Sequence, residues 1–133
     1  MIKWVKDFSR TIDYLETRTD IDTSKLGFYG HSRGGRLGGI IPAVENRLAV
    51  NILVVGGLSN TKPFPEADGI YYVPRIKIQT LMLNGRYDSS FPLKKSLIPF
   101  FNNLGTPEAD KRLVIYETGH YVSKRDRTRE ILS

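Results

Sequence analysis

Apolar positions along the chain change period several times, and each change marks an element. From residue 2 to 17, Val5, Phe8, Ile12 and Leu15 recur at helical spacing with polar residues between them, which predicts an amphipathic helix. The turn-forming run Thr19-Asp20-Ile21-Asp22-Thr23-Ser24 leads into Lys25 to Tyr29, a short stretch closed by Gly30 that reads as a buried strand. After Ser32 a helical period returns through Leu37, Ile40, Ile41 and Val44, and Pro42, which lacks a backbone donor, is expected to bend or shorten that helix. Leu48 to Val55, broken only by Asn51, and Gln79 to Leu83 are continuous apolar runs suited to strands covered on both faces. A third helix is expected from Pro92, with Leu93, Leu97, Phe101 and Leu104 on one face, a kink at Pro99 and a stop at Gly105. Lys111 to Tyr116 supplies a last strand and Asp126 to Leu132 a last helix.

Strands that alternate with helices predict an α/β domain of about four parallel strands flanked by helices, joined by right-handed crossovers, with residues 1–133 forming one domain. The connection Gly56 to Ile78 is long for such a domain and is expected to form a pocket wall. Its Phe64, Tyr71 and Tyr72 are candidates for lining an acyl or aryl pocket, with ordinary packing as the alternative.

Composition narrows the function classes. With 133 residues, 40% apolar and 26% charged, the chain is expected to fold as a globular body. No apolar run is long enough to span a membrane and the segment Met1 to Asp7 lacks the apolar core of a signal peptide, so a cytoplasmic location is expected. There are no cysteines, which excludes disulfides, thiolate metal sites and a cysteine nucleophile. The net charge of +6 is concentrated partly in Lys124, Arg125, Arg127 and Arg129, which read as a solvated helix face and not as a nucleic-acid surface. Two distant histidines and the lack of a phosphate-cradling glycine loop give no support for a metal or an organic cofactor.

The chemistry is concentrated at Gly30-His31-Ser32-Arg33-Gly34, a G-x-S-x-G sequence that follows a predicted strand and opens a predicted helix. A sharp turn at that junction pushes a serine Oγ outward, and the helix start presents free N–H groups to a reacting carbonyl. A serine hydroxyl needs a base to take its proton. His31 adjoins the nucleophile in sequence and is expected to point away from it as a structural neighbour. His120, in the loop after the last strand, would reach the same C-terminal sheet edge as Ser32 and is the candidate base. The imidazole in turn needs a carboxylate. Asp88, in the turn that follows the Gln79–Leu83 strand, is preferred over Glu117 and Asp68, neither of which occupies a strand-end turn.

The run Asp20 to Gly35, with Leu81-Met82-Leu83-Asn84-Gly85-Arg86-Tyr87-Asp88 and Thr118-Gly119-His120, resembles the elbow, acid and histidine loops of the dienelactone-hydrolase, acetyl-xylan-esterase and prolyl-oligopeptidase branch of the α/β-hydrolases. The chain resembles the C-terminal half of that fold, a truncated α/β-hydrolase without the N-terminal strands. The resemblance implies a serine esterase cleaving small acyl esters, with Ser32 as nucleophile, His120 as base, Asp88 as acid and the Arg33 N–H as one oxyanion donor. The loop that gives the other donor in the family precedes the elbow and has no counterpart here. A catalytically weak fragment acting as a binding or dimerisation module, and a peptidase, are the alternative readings. Without the preceding strands, Lys25–Tyr29 is left as a bare edge, and a homodimer meeting at the uncovered edges is expected.

Overall fold

The computed structural model describes residues 1–133. Helix α1 (Ile2–Glu16) lays Val5, Phe8 and the buried Ile12 against the core, as its period requires. Asp22 then accepts the Ser24 N–H at 3.1 Å and caps a short helical turn, Thr23–Lys25. Strand β1 (Gly27–His31) therefore starts and ends two residues later than the expected Lys25–Tyr29. Its register with β2 (Val50–Val54), from Gly27 opposite Val50 to His31 opposite Val54, draws Gly30 and His31 into the strand.

After Ser32 the chain makes two short helices, α2 (Arg33–Leu37) and α3 (Ile41–Val44), where one bent helix was expected. Gly38 and Gly39 separate them, and Pro42 sits in the first turn of α3, where its missing N–H has no carbonyl to serve. Strands β3 (Gln79–Gly85) and β4 (Lys111–Tyr116) complete a parallel sheet in the order β1-β2-β3-β4. Between them, Leu93–Leu97 forms a wide π-type turn that runs into α4 (Ile98–Asn103). Pro99 cannot donate to the Lys95 carbonyl, and the ladder shifts so that the Ser96 and Leu97 N–H groups both approach the Pro92 carbonyl, at 2.8 and 3.4 Å. The expected kink takes this form. The last helix, α5 (Lys124–Leu132), starts two residues before Asp126 because Ser123 Oγ accepts the Asp126 N–H at 3.0 Å.

The two sheet faces are covered unequally. One face carries Phe28, Leu53 and Met82 into the main core with Ile12, Ile41, Leu97 and Phe100. The other holds a small cluster of Val54, Val55, Leu83 and Val122, and leaves Tyr29 half exposed at 50%. Equal covering, the usual consequence of continuous apolar strands, is not reached because α5 alone lies over that side and buries none of its own residues. Strand β1 pairs with β2 only and forms an edge.

The Gly56 to Ile78 connection folds as three short helical turns and sends Leu58, Val73 and Ile76 into the core. Ser96 Oγ donates to the Leu58 carbonyl at 2.6 Å and Thr106 Oγ1 to the Ile78 carbonyl at 2.8 Å, so the segment is tied at both ends. No helix is long and apolar enough to cross a membrane.

Candidate active site

The C-terminal ends of β1, β3 and β4 deliver three side chains to one place. Ser32 follows β1 with φ 55° and ψ −108°, a conformation that L residues adopt rarely and at a cost. Its N–H donates to the Val54 carbonyl at 2.9 Å, and its carbonyl accepts the Arg36 N–H at 3.0 Å, which fixes the turn from both sides. The glycines make room for that turn. A Cβ on Gly30 would stand 2.3 Å from the Gly34 carbonyl oxygen and one on Gly35 would stand 2.7 Å from the Gly56 Cα, whereas Gly34 faces open space. The steric demand of the motif thus rests on its first glycine and on the glycine just beyond it.

Ser32 Oγ lies 2.8 Å from His120 Nε2, and His120 Nδ1 lies 2.8 Å from Asp88 Oδ2. Asp88 is buried, with the other carboxylate oxygen accepting the Ser90 and Phe91 N–H groups at 2.8 and 3.1 Å. Those two bonds come from an Asx turn, which locks the carboxylate in the orientation that meets His120. The loops of Asp88 and His120 are themselves clasped. Arg86 and Tyr87 N–H groups donate to the Tyr116 and Thr118 carbonyls at 2.8 and 2.9 Å, and Gly85 is so close to Gly119 that a Cβ would fall 1.9 Å from the Gly119 carbonyl oxygen. The Phe91 ring stacks on the imidazole with centroids 5.9 Å apart.

The rejected carboxylates have other partners. Glu117 binds the Arg86 guanidinium and accepts the Tyr87 hydroxyl at 2.8 Å, which holds its carboxyl below the ordinary range, and Asp68 caps the Ile70 N–H at 3.2 Å. His31 does not bond Ser32; its ring stands edge-on to His120 with centroids 6.4 Å apart. Burial, then the Arg127 guanidinium, then His120 itself push the His31 imidazole below its usual value, which favours its neutral form beside the base.

The Arg33 N–H opens α2, where no carbonyl of the helix is available to it, and it is the main-chain donor adjoining Ser32. Of the three loop aromatics, Phe64 and Tyr71 are exposed, at 78% and 59%. Tyr72 donates its hydroxyl to the Glu66 carbonyl at 2.9 Å and borders a cavity of about 220 Å³ with Ile2, Val5, Ile40 and Val44, whose walls include none of Ser32, Asp88 and His120. The structure thus brings Ser32, Asp88 and His120 together and gives the aromatics a different setting. No three His, Cys, Asp or Glu side chains are grouped as a metal site. Phe91 and the Gly35–Gly56 and Gly85–Gly119 approaches were not singled out from the sequence. Asp88-Ser89-Ser90 carries a readable Asx-turn signal, but the glycine pairs meet only across strands.

No protein-family model and no curated protein matches the sequence significantly. Solved structures do match. An acetyl xylan esterase from Paenibacillus sp. superposes with a TM-score of 0.77 at 21% identity, covering 92% of this chain and 48% of that one. Acetyl xylan esterase 1 from Thermoanaerobacterium sp. gives 0.77 at 18% identity, covering 96% of this chain and 50% of that one. A Bacteroides ovatus protein assigned as a dipeptidyl aminopeptidase IV gives 0.80 at 17% identity, covering 97% of this chain and 21% of that one. The chain spans about half the length of the two esterases. Its four-stranded parallel sheet flanked by helices has the same fold as these structures over the part of each that the match covers.

Proposed function

We propose that the chain is a serine hydrolase acting on small acyl esters. The observation that carries this reading is the unbroken line of hydrogen-bond distances from Ser32 Oγ through His120 to Asp88 Oδ2, 2.8 Å at each step. Neutral His120 donates Nδ1–H to Asp88, which leaves the Nε2 lone pair for the Ser32 proton. Ser32 Oγ attacks the ester carbonyl, and the Arg33 N–H receives the negative charge that develops on its oxygen. His120 then passes the proton to the departing alcohol, and water, activated by the same imidazole, releases the acyl group from Ser32. The names of the similar esterases support an ester over other acyl substrates.

Hydrolysis of 4-nitrophenyl acetate by the wild-type chain, falling to the buffer rate in Ser32→Ala, is the expected result. Equal rates for the two proteins would overturn the assignment. A peptidase is the second enzymatic reading, favoured by the similarity to the Bacteroides ovatus protein. Comparing an amino-acid 4-nitroanilide with the ester separates the two.

A further reading follows from the open β1 edge. We propose that the β1 edges of two copies meet in a homodimer, which completes the sheet on that side.

A further inference from the structure

The last turns of α1, through Ile12 and Leu15, border a cavity with Leu26 and Gly27 at the start of β1, and the helix's first turn lies by Arg33, just past Ser32. There the Arg33 guanidinium lies over the Trp4 ring, 5.9 Å from its centroid. The two side chains, with Met1, Arg36 and Leu37, enclose a cavity of about 170 Å³. Six of the eleven arginines are ion-paired: Arg10 with Asp13, Arg18 with Asp20, Arg47 with Asp13, Glu16 and Glu45, Arg86 with Glu117, Arg112 with Glu130 and Arg129 with Asp126 and Glu130. Arg33 and Arg36 form no ion pair and no side-chain hydrogen bond, and no carboxylate borders their cavity. Its walls therefore combine two guanidinium forks free of any carboxylate, the indole over which Arg33 lies, and Met1 and Leu37. The adjoining cavity shares Met1 and continues the apolar wall through Ile2, Val5 and Ile40; its lining includes one carboxylate, Glu66, and one ammonium, Lys6.

We propose that this cavity is a binding site for an amphipathic anion, a carboxylate or phosphate carried on an aryl or alkyl body. A guanidinium pairs with either anion through parallel N–H donors, and an organic body can lie against Trp4 and Leu37. Arg33 follows Ser32 directly in sequence, and the walls of the cavity include none of Ser32, Asp88 and His120. If the chain is the ester hydrolase proposed above, on which this corollary rests, the site selects esters that carry a negative charge beyond the scissile bond.

Trp4 is the only tryptophan, so the tryptophan fluorescence comes from a wall of this cavity. The test titrates the full chain with benzoate, phenyl phosphate and benzyl alcohol, and repeats each titration with Arg36→Met and Arg36→Lys. A saturable change with one or both anions is expected, at least about tenfold tighter than with benzyl alcohol, weakened about tenfold in Arg36→Met and only partly restored in Arg36→Lys, which keeps the charge but not the paired donors. Which anion binds more tightly identifies the source as carboxylate or phosphate. Equal response to benzyl alcohol, no saturable change, or unaltered binding in Arg36→Met would each overturn the site. If Arg36→Met does not fold, the ranking of the three ligands on the wild-type chain decides alone. A parallel measurement compares 4-nitrophenyl hemisuccinate with 4-nitrophenyl acetate, and the preference for the charged ester is expected to fall about tenfold in Arg36→Met. Failure of the hydrolase reading abolishes turnover of both esters yet leaves the fluorescence titration intact, so the two failures are distinguishable.

Discussion

Asp88 is the residue whose role is most sharply defined by its surroundings. It is buried, gives one oxygen to two main-chain N–H groups and the other to His120 Nδ1. Asp88→Asn keeps the shape and can keep the two N–H bonds, but presents an amide donor or a neutral oxygen to the imidazole and loses control of its tautomer. Ester turnover is expected to fall by about 10²- to 10⁴-fold with little change in thermal unfolding, as measured by initial rates and circular dichroism. A second residue-scale prediction concerns stability. Arg47 forks onto buried Glu45 at 2.7 Å, which holds the Glu45 carboxyl down to about 2, and it also reaches Asp13 and Glu16. A carboxyl lowered on folding contributes stability that is present above its ordinary value and lost as the pH falls towards the folded value. Stability should therefore decline between about pH 5 and pH 2. Arg47→Met strands a buried charge and should cost about 2–4 kcal/mol at neutral pH by urea unfolding, with a flatter acid limb. His31 has the same sign in a higher window: its imidazole is lowered on folding, so acidification below its ordinary value near 6.5 opposes the fold, and His31→Gln should reduce that loss.

At the scale of elements, the elbow and the two strand-end loops are positioned by close main-chain contact. Gly30→Ala would drive a methyl into the Gly34 carbonyl, and Gly34→Ala would meet nothing within 4 Å. The first variant is expected to lower the melting temperature and activity together, and the second to leave both near wild type. Similar losses in the two would contradict the placement of strain in the elbow. The periodicity of α1, the apolar centres of β2, β3 and β4 and the strand-end positions of Ser32, Asp88 and His120 were all legible because each depends on local pattern or chain order. The start of β1 was not, since its limits follow from pairing with β2, a partner about 20 residues away in sequence. Nor was the π-type turn: Pro99 announces a disturbance, but which carbonyl takes up the shifted ladder depends on Pro92 and the packing of Leu97. The Gly56–Ile78 segment reads as a loop because its buried residues, Leu58, Val73 and Ile76, follow no period. They are set by the core they enter, and Tyr72 is turned with them to its own cavity.

The whole molecule is defined by asymmetry. One sheet face has a deep core, and the other is thinly roofed by α5, with a cavity of about 420 Å³ bordered by Val50, Ile52, Leu81 and Ile131 at the end of the strands opposite Ser32. Strand β1 is an edge whose outer backbone groups have no strand beside them. Light scattering at micromolar concentration is expected to give twice the monomer mass of 15.1 kDa, and a monomer under those conditions would sink the proposed dimer. The central claim, that the fold assembles an activated serine, is tested most directly by a fluorophosphonate probe followed by mass analysis of the labelled peptide. The account predicts one adduct, on Ser32, that is absent in Ser32→Ala and strongly slowed in His120→Gln. A wild-type chain that takes no label, or labels as fast without His120 as with it, would contradict it.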